Sequence, residues 1–335
     1  MKYTKKLLAL VLALLLALSL AACGGGEAGG LTEVTLCLDW TPNTNFTGLY
    51  AAQAQGWFEE AGLKLTIVQP PEDGAAAICA AGQTEFAITA QDSIASAFAL
   101  QTPLEVTAVA ALLQHNTSGI ISRAGEGMDR PAGLAGHTYS AWNTPAELAM
   151  MERVVTADGG DFGEVTIIPN NIADEAGALR EKQTDAIWIF YGWGGISARL
   201  AGLDFDYFYF KDIDPVFDYY TPILIANNAF LEEHPDTAKA FLAAAARGYE
   251  YAIEHPEEAA RMLIEGDDTG SLSGSEALVK ESQAWISGQY KAEESRWGYI
   301  DPARWNAFYR WLNDNNLLER PIPDNTGFSN DYLPQ

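Results

Sequence analysis

A rhythm repeated twice constrains this chain more than any single motif. Between Glu33 and Leu113, four apolar or alternating runs are each set off by helical stretches: "EVTLCL" (33–38), "LKLTIVQP" (63–70), "EFAIT" (85–89) and "LEVTAVAALL" (104–113). Such alternation predicts βαβ units around a mostly parallel sheet. The rhythm restarts with "GHTYSAW", "EVTIIP" and "DAIWIF" (185–190), with helices expected from Pro145 and over Asp174–Lys182. "YTPILIANN" (220–228) is a last strand on its own, and everything after it reads as helix. Two α/β blocks followed by an α-rich tail predict two lobes, with the tail returning to the first.

The N-terminus addresses the chain to the cell envelope. Lys2, Lys5 and Lys6 precede an apolar run over Leu7–Leu20, and Ala21-Ala22-Cys23 follows. A basic segment, a short apolar segment and small residues describe an export signal. The run is shorter than the roughly 20 apolar residues of a membrane span. The small-small-Cys ending resembles the lipobox of bacterial lipoproteins. That likeness implies a signal peptide over 1–22, cleavage before Cys23, and lipid on Cys23 holding the protein to the membrane on its extracytoplasmic side. The Gly-rich stretch over 23–30 reads as a flexible tether. The other cysteines, Cys37 and Cys79, fall in a predicted strand and an Ala-rich helix. With no CxxC and no Cys/His cluster, no metal site is expected.

Charge narrows the partners. The formal net charge is −25, and loss of the three leader lysines takes it to about −28. A field of that sign repels nucleic acid, which is excluded as a partner. With 48% hydrophobic and only 19% charged residues, the chain is globular rather than an acidic disordered one.

Candidate binding residues gather in loops after predicted strands. In open α/β sheets ligands bind outside the carboxyl ends of the strands. There the chain places Trp40, Asn43 and Asn45; Gln91 and Asp92; Asn116, Thr117 and Ser118; Trp142; and Tyr191 and Trp193. Trp40, Trp142, Tyr191 and Trp193 are suited to sandwich a flat ring. The amides and hydroxyls are suited to its edge, and Asp92 to an exocyclic amine or a protonated ring nitrogen. Plainer roles stand beside these: Asp92 as a helix cap, and Asn43 and Asn45 as partners of their own turn. These loops carry no Arg or Lys, as an anion would require. No GxSxG, HExxH or Walker motif is present, so no catalytic residue and no cofactor is assigned.

The segments "LDWTPNTNFTGLYAAQAQGWFEEAGL", "QPPEDGAAAICAAGQTEFAI", "QHNTSGIISR", "WIFYGWGGI" and "DIDPVFDYYTPILIAN" together resemble the substrate-binding proteins of ABC importers for thiamine precursors, riboflavin, and nitrate, sulfonate or taurine. The pyrimidine-precursor binders are the nearest likeness, and the fungal thiamine pyrimidine synthase shares their ancestry. The resemblance implies a type II periplasmic-binding fold, with lobe I at 31–114 and 222–335, lobe II at 115–221, and crossovers near Leu113–Asn116 and Tyr220–Pro222. It also implies a pyrimidine-like ligand, an ABC permease and ATPase as partners, and a monomer. Two positions depart from the pattern. Phe46 stands where relatives often carry the His tied to the synthase's chemistry, which argues for a binder and against an enzyme. Gly194 stands where an acidic residue is common, which leaves Asp92 to read the ring edge. Riboflavin, or an alkylsulfonate or nitrate, remains the alternative ligand.

Overall fold

The computed structural model describes residues 30–170, 172 and 174–335. The leader, Cys23 and the tether up to residue 29 lie outside the described residues. The first sheet contains β1 (Thr32–Cys37), β2 (Leu63–Val68), β3 (Phe86–Thr89), β4 (Val106–Ala111) and β10 (Ile223–Asn227), in the order β2-β1-β3-β10-β4. The second contains β5 (Ser118–Arg123), β6 (Thr138–Ala141), β7 (Thr166–Pro169), β8 (Ala186–Phe190) and β9 (Phe205–Tyr209), in the order β7-β6-β8-β5-β9.

Both sheets are mixed, where the rhythm predicted mostly parallel ones. β1 runs parallel to β3, and β6 to β7 and β8, as βαβ units require. β10 runs antiparallel to β3 and β4, and β5 antiparallel to β8 and β9. Each of these two strands enters its sheet from the other sheet rather than through a βαβ crossover within its own. β5 and β9 are strands that the sequence pattern did not indicate. β5 is buried along its whole length, so it lacks the alternation that marks a half-exposed strand.

Two passages join the sheets: residues 112–117, from β4 to β5, and residues 210–222, from β9 to β10. The second contains the cis peptide Thr221–Pro222. The helical tail then packs back over the first sheet. Pro235–Glu254 lies on Thr47–Ala54, and Phe241 stacks on Phe86 at 4.0 Å between ring centres. Pro302–Asp314 reaches the end of β3, where the Gln91 side chain donates to the Trp305 carbonyl at 2.8 Å. Among the described residues no helix is long and apolar enough to cross a membrane. Cys37 and Cys79 are buried free thiols, and burial pushes them up to about 11 and about 12.

Candidate functional site

A cavity of about 470 Å³ opens between the two sheets. Asp39 and Asp92, beyond the ends of β1 and β3, contribute from the first, with Ser93 and Ser96. Trp142, just past β6, and Trp188 and Phe190 of β8 contribute from the second. Tyr219 and Thr221 of the second passage line it, as do Leu312, Leu317 and Leu318 of the tail. Thr144 and Glu147 line it beside Trp142, so the second-sheet side carries rings with one carboxylate, and the first-sheet side carries Asp39 and Asp92 with serine hydroxyls. Among the described residues its lining contains no Lys, Arg or His.

Local structure holds the aromatic wall in place. Asn143 adopts a left-handed φ of 65°, a conformation Asn tolerates better than most residues. Thr144 then caps the Pro145–Ala157 helix, and Glu147 completes a capping box. The Glu147 carboxylate also accepts from the Tyr139 hydroxyl at 2.7 Å and the Trp142 amide at 3.2 Å. The loop is thus pinned, yet the Trp142 ring is 55% exposed and Phe190 39%. Trp188 is buried beneath them, edge-on to Trp142 at 6.2 Å. Two large rings left bare on one wall offer unfilled apolar surface.

The acidic wall is poised differently. Burial raises the Asp92 carboxyl, while the Ser93 backbone N–H, its own N–H and the Tyr219 hydroxyl oppose the shift. Its Oδ1 is buried without a hydrogen-bond partner. Burial also pushes Asp39 up to about 6, from an ordinary value near 3.8, against the pull of its own backbone N–H. Between these two pH values the folded chain keeps a proton on Asp39 that the unfolded chain releases, so stability falls as pH rises through the interval. Asp39→Asn is expected to flatten that part of the curve, measured by chemical denaturation at pH 4.5 and pH 7. An unchanged slope would remove Asp39 as its source.

The remaining sequence candidates are placed as follows. Trp40 is 68% exposed beside Asp39 and does not line the cavity. Asn43 accepts from the Asn45 amide at 2.9 Å and donates to the Thr41 carbonyl at 3.0 Å, so its side chain closes its own turn. Asn45 is half-buried, and its carbonyl accepts from the Tyr249 hydroxyl at 2.8 Å. Gln91 is fully buried, bonded to the Trp305 carbonyl and the Tyr220 amide. Asn116 bridges the passages, donating to the Phe217 carbonyl and accepting from the Ser118 amide. The Thr117 carbonyl holds the Tyr191 amide and the Tyr207 hydroxyl. Ser118 is buried in β5, its hydroxyl without a partner.

Tyr191 and Trp193 lie elsewhere, in a π-helical turn over Tyr191–Gly195 that the Glu276–Ile286 helix covers. Tyr191 packs on Tyr207, Tyr209 and Trp285, and Trp193 on the core of the first sheet. Ser282 hydrogen-bonds the Gly192 carbonyl and lies 2.6 Å from the Thr44 hydroxyl. A Cβ at Gly194 would come within 3.0 Å of Ile189, which favours glycine there. Phe46 is 1% exposed in the core.

Of the sequence candidates, the cavity brings together Asp92 and Trp142. It adds Asp39, Trp188, Phe190 and Tyr219, which pattern reading missed. Asp39 and Phe190 sat inside quoted motifs, and their position at strand ends was the signal that could have found them.

The family profile described as NMT1/THI5 like matches residues 43–259. The chain belongs to this family. This NMT1/THI5-like chain is 27% identical to the formylaminopyrimidine-binding protein of Halalkalibacterium halodurans, over 97% of its own length and 98% of the relative's. It is 22% identical to the riboflavin-binding protein RibY of Chloroflexus aurantiacus, over 91% and 87% of the two chains. Its fold is shared with the alkanesulfonate-binding protein SsuA from Xanthomonas axonopodis pv. citri, at a TM-score of 0.65 and 12% identity, covering 90% of this chain and 99% of that one.

Proposed function

We propose that this NMT1/THI5-like chain is the extracytoplasmic solute-binding component of an ABC importer, and that it takes a small aminopyrimidine of the thiamine-precursor type. It is a binding protein and not an enzyme. The observation that carries the ligand class is the meeting in one cavity of two bare rings, Trp142 and Phe190, with the carboxylates Asp39 and Asp92. A flat ring buries its faces on the first, and an exocyclic amine donates to the second. The 27% identity to a formylaminopyrimidine-binding protein points the same way.

An alkylsulfonate or nitrate fits poorly. Anions favour helix N-termini, and two meet the cavity, at Gln91–Phe98 and Pro145–Ala157. Each already carries a carboxylate in its first turn, Asp92 and Glu147, and among the described residues no cation lines the cavity. Riboflavin is the second reading, because about 470 Å³ falls within the range that holds ligands larger than one small ring.

In this account residues 31–114 and 222–335 form lobe I, and 115–221 form lobe II. Closure would carry the exposed Trp40 onto the ligand and present the loaded state to a permease and its ATPase. The chain acts as a monomer, anchored by lipid on Cys23 after removal of residues 1–22. Cys23→Ala is expected to move the protein from the membrane to the soluble fraction; retention in the membrane would overturn the anchor. Native mass spectrometry of protein expressed from Leu31 tests the ligand class. A copurified aminopyrimidine supports the reading, and a copurified flavin replaces it with the second.

A further inference from the structure

Away from the cavity, one side-chain cluster ties both passages between the sheets to the helical tail. His115, in the first passage, places Nδ1 at 2.6 Å from Asp218 Oδ2 in the second. Its Nε2 lies 2.8 Å from Glu293 Oε2, in the segment before the Pro302–Asp314 helix. The Asn116 amide donates to the other Asp218 oxygen at 2.9 Å. Arg304 of the tail closes the cluster. It donates to the Gln114 carbonyl, its Nη2 lies 3.5 Å from Glu293 and its Nε 3.8 Å from Asp218, and its guanidinium sits 5.2 Å over the Tyr220 ring. The charged or titratable groups at this node are therefore Asp218 and Tyr220 from the second passage, and Glu293 and Arg304 from the tail.

The geometry sets the protonation state. Ionised carboxylates only accept hydrogen bonds, and a neutral imidazole has one N–H to give. Both short contacts are hydrogen bonds only when His115 is an imidazolium. We propose that His115 is a proton-operated clamp on the hinge: charged, it fastens the two passages and the tail at one point, and neutral, it releases one carboxylate and loosens the pivot on which the lobes move. The inference rests on the two-lobe account but not on the ligand's identity.

The Asp218 hydrogen bond is the main cause raising the His115 titration, with Glu293 adding to it; burial and Arg304 oppose. For a group whose folded value is raised, the stabilisation is complete below the unfolded value, near 6.5, and is lost as pH rises through the folded value. Glu293 is 60% exposed and Asp218 17%, so the Glu293 contact is the one expected to open first.

The test uses ligand-free protein. The chain has four histidines, so the His115 ring resonance is assigned by its disappearance in His115→Gln. Its NMR titration midpoint is expected above 6.5, and lower in Glu293→Gln. Hydrogen exchange over 112–117 and 218–222, corrected for intrinsic pH dependence, is expected to lose at least tenfold protection between pH 6 and pH 8.5. In His115→Gln it should be weak and flat over that range, with the denaturation midpoint showing that the variant is folded. A midpoint at or below 6.5 would overturn the clamp. So would protection that is independent of pH in the unsubstituted protein, or equally pH-dependent in His115→Gln. Should His115→Gln fail to fold, the Glu293→Gln comparison decides, and an unmoved midpoint there counts against the proposal.

Discussion

Replacing Asp92 by Asn is expected to weaken binding of a 4-amino-2-methylpyrimidine at least tenfold while leaving the fold intact. Asp92 lines the cavity, and its Oδ1 has no hydrogen-bond partner among the described residues, so an amine that reaches it as the lobes adjust finds an acceptor not already engaged. Hydrogen bonds to a charged group contribute about 1.5–3 kcal/mol, roughly a 10- to 150-fold change in affinity. Asn keeps the size and one acceptor oxygen but loses the charge that strengthens the contact. Stability should hold or rise at pH 7, because burial works against the Asp92 carboxylate. Calorimetric titration and thermal unfolding of the variant separate the two effects. Unchanged affinity would remove Asp92 from the site, whereas lost affinity with a lowered Tm would make it a structural residue.

The second large effect concerns the platform beneath the first-sheet loops. Gly248→Ala is expected to destabilise the protein by about 2 kcal/mol, although alanine is the better helix former by about 1 kcal/mol. At this crossing of Pro235–Glu254 over Thr47–Ala54, a Cβ on Gly248 would stand 1.9 Å from the Gly48 carbonyl oxygen and 2.8 Å from the Ala52 Cβ. The first of these is backbone and cannot turn aside. Overpacking of this kind costs about 1–3 kcal/mol, and here both helices must separate to relieve it, so the clash outweighs the propensity gain. The neighbouring Tyr249 hydroxyl holds the Asn45 carbonyl, so the shift reaches the loop that follows Asp39. Affinity should fall with stability. Chemical denaturation measures the first and titration the second; a variant as stable as the unsubstituted protein would contradict the tight crossing.

The alternation of strands and helices made the architecture legible, because βαβ units write their period into the sequence. The direction of β5 and β10 was not written there. It follows from passages between sheets, and a fully buried strand such as β5 shows no alternation. The site was legible only in part. Trp142 and Asp92 stood out by type and by position at strand ends. The amides Asn43, Gln91 and Asn116 have the same residue-level signature, but each spends its side chain on backbone groups of the protein. Nothing in a single sequence separates an amide facing a ligand from one closing a turn. Tyr191 and Trp193 illustrate a related limit: a loop at a strand end reaches the cavity only if no other element covers it, and the Glu276–Ile286 helix, more than 80 residues away in sequence, covers theirs.

The most direct measurement is calorimetric titration of the protein, expressed from Leu31, with a 4-amino-5-substituted-2-methylpyrimidine, riboflavin and an alkanesulfonate in parallel. The account predicts tight one-to-one binding of the pyrimidine and no heat from the sulfonate. Sulfonate binding with no response to the pyrimidine would contradict it, because the acidic wall of Asp39 and Asp92 would then have no ligand to meet.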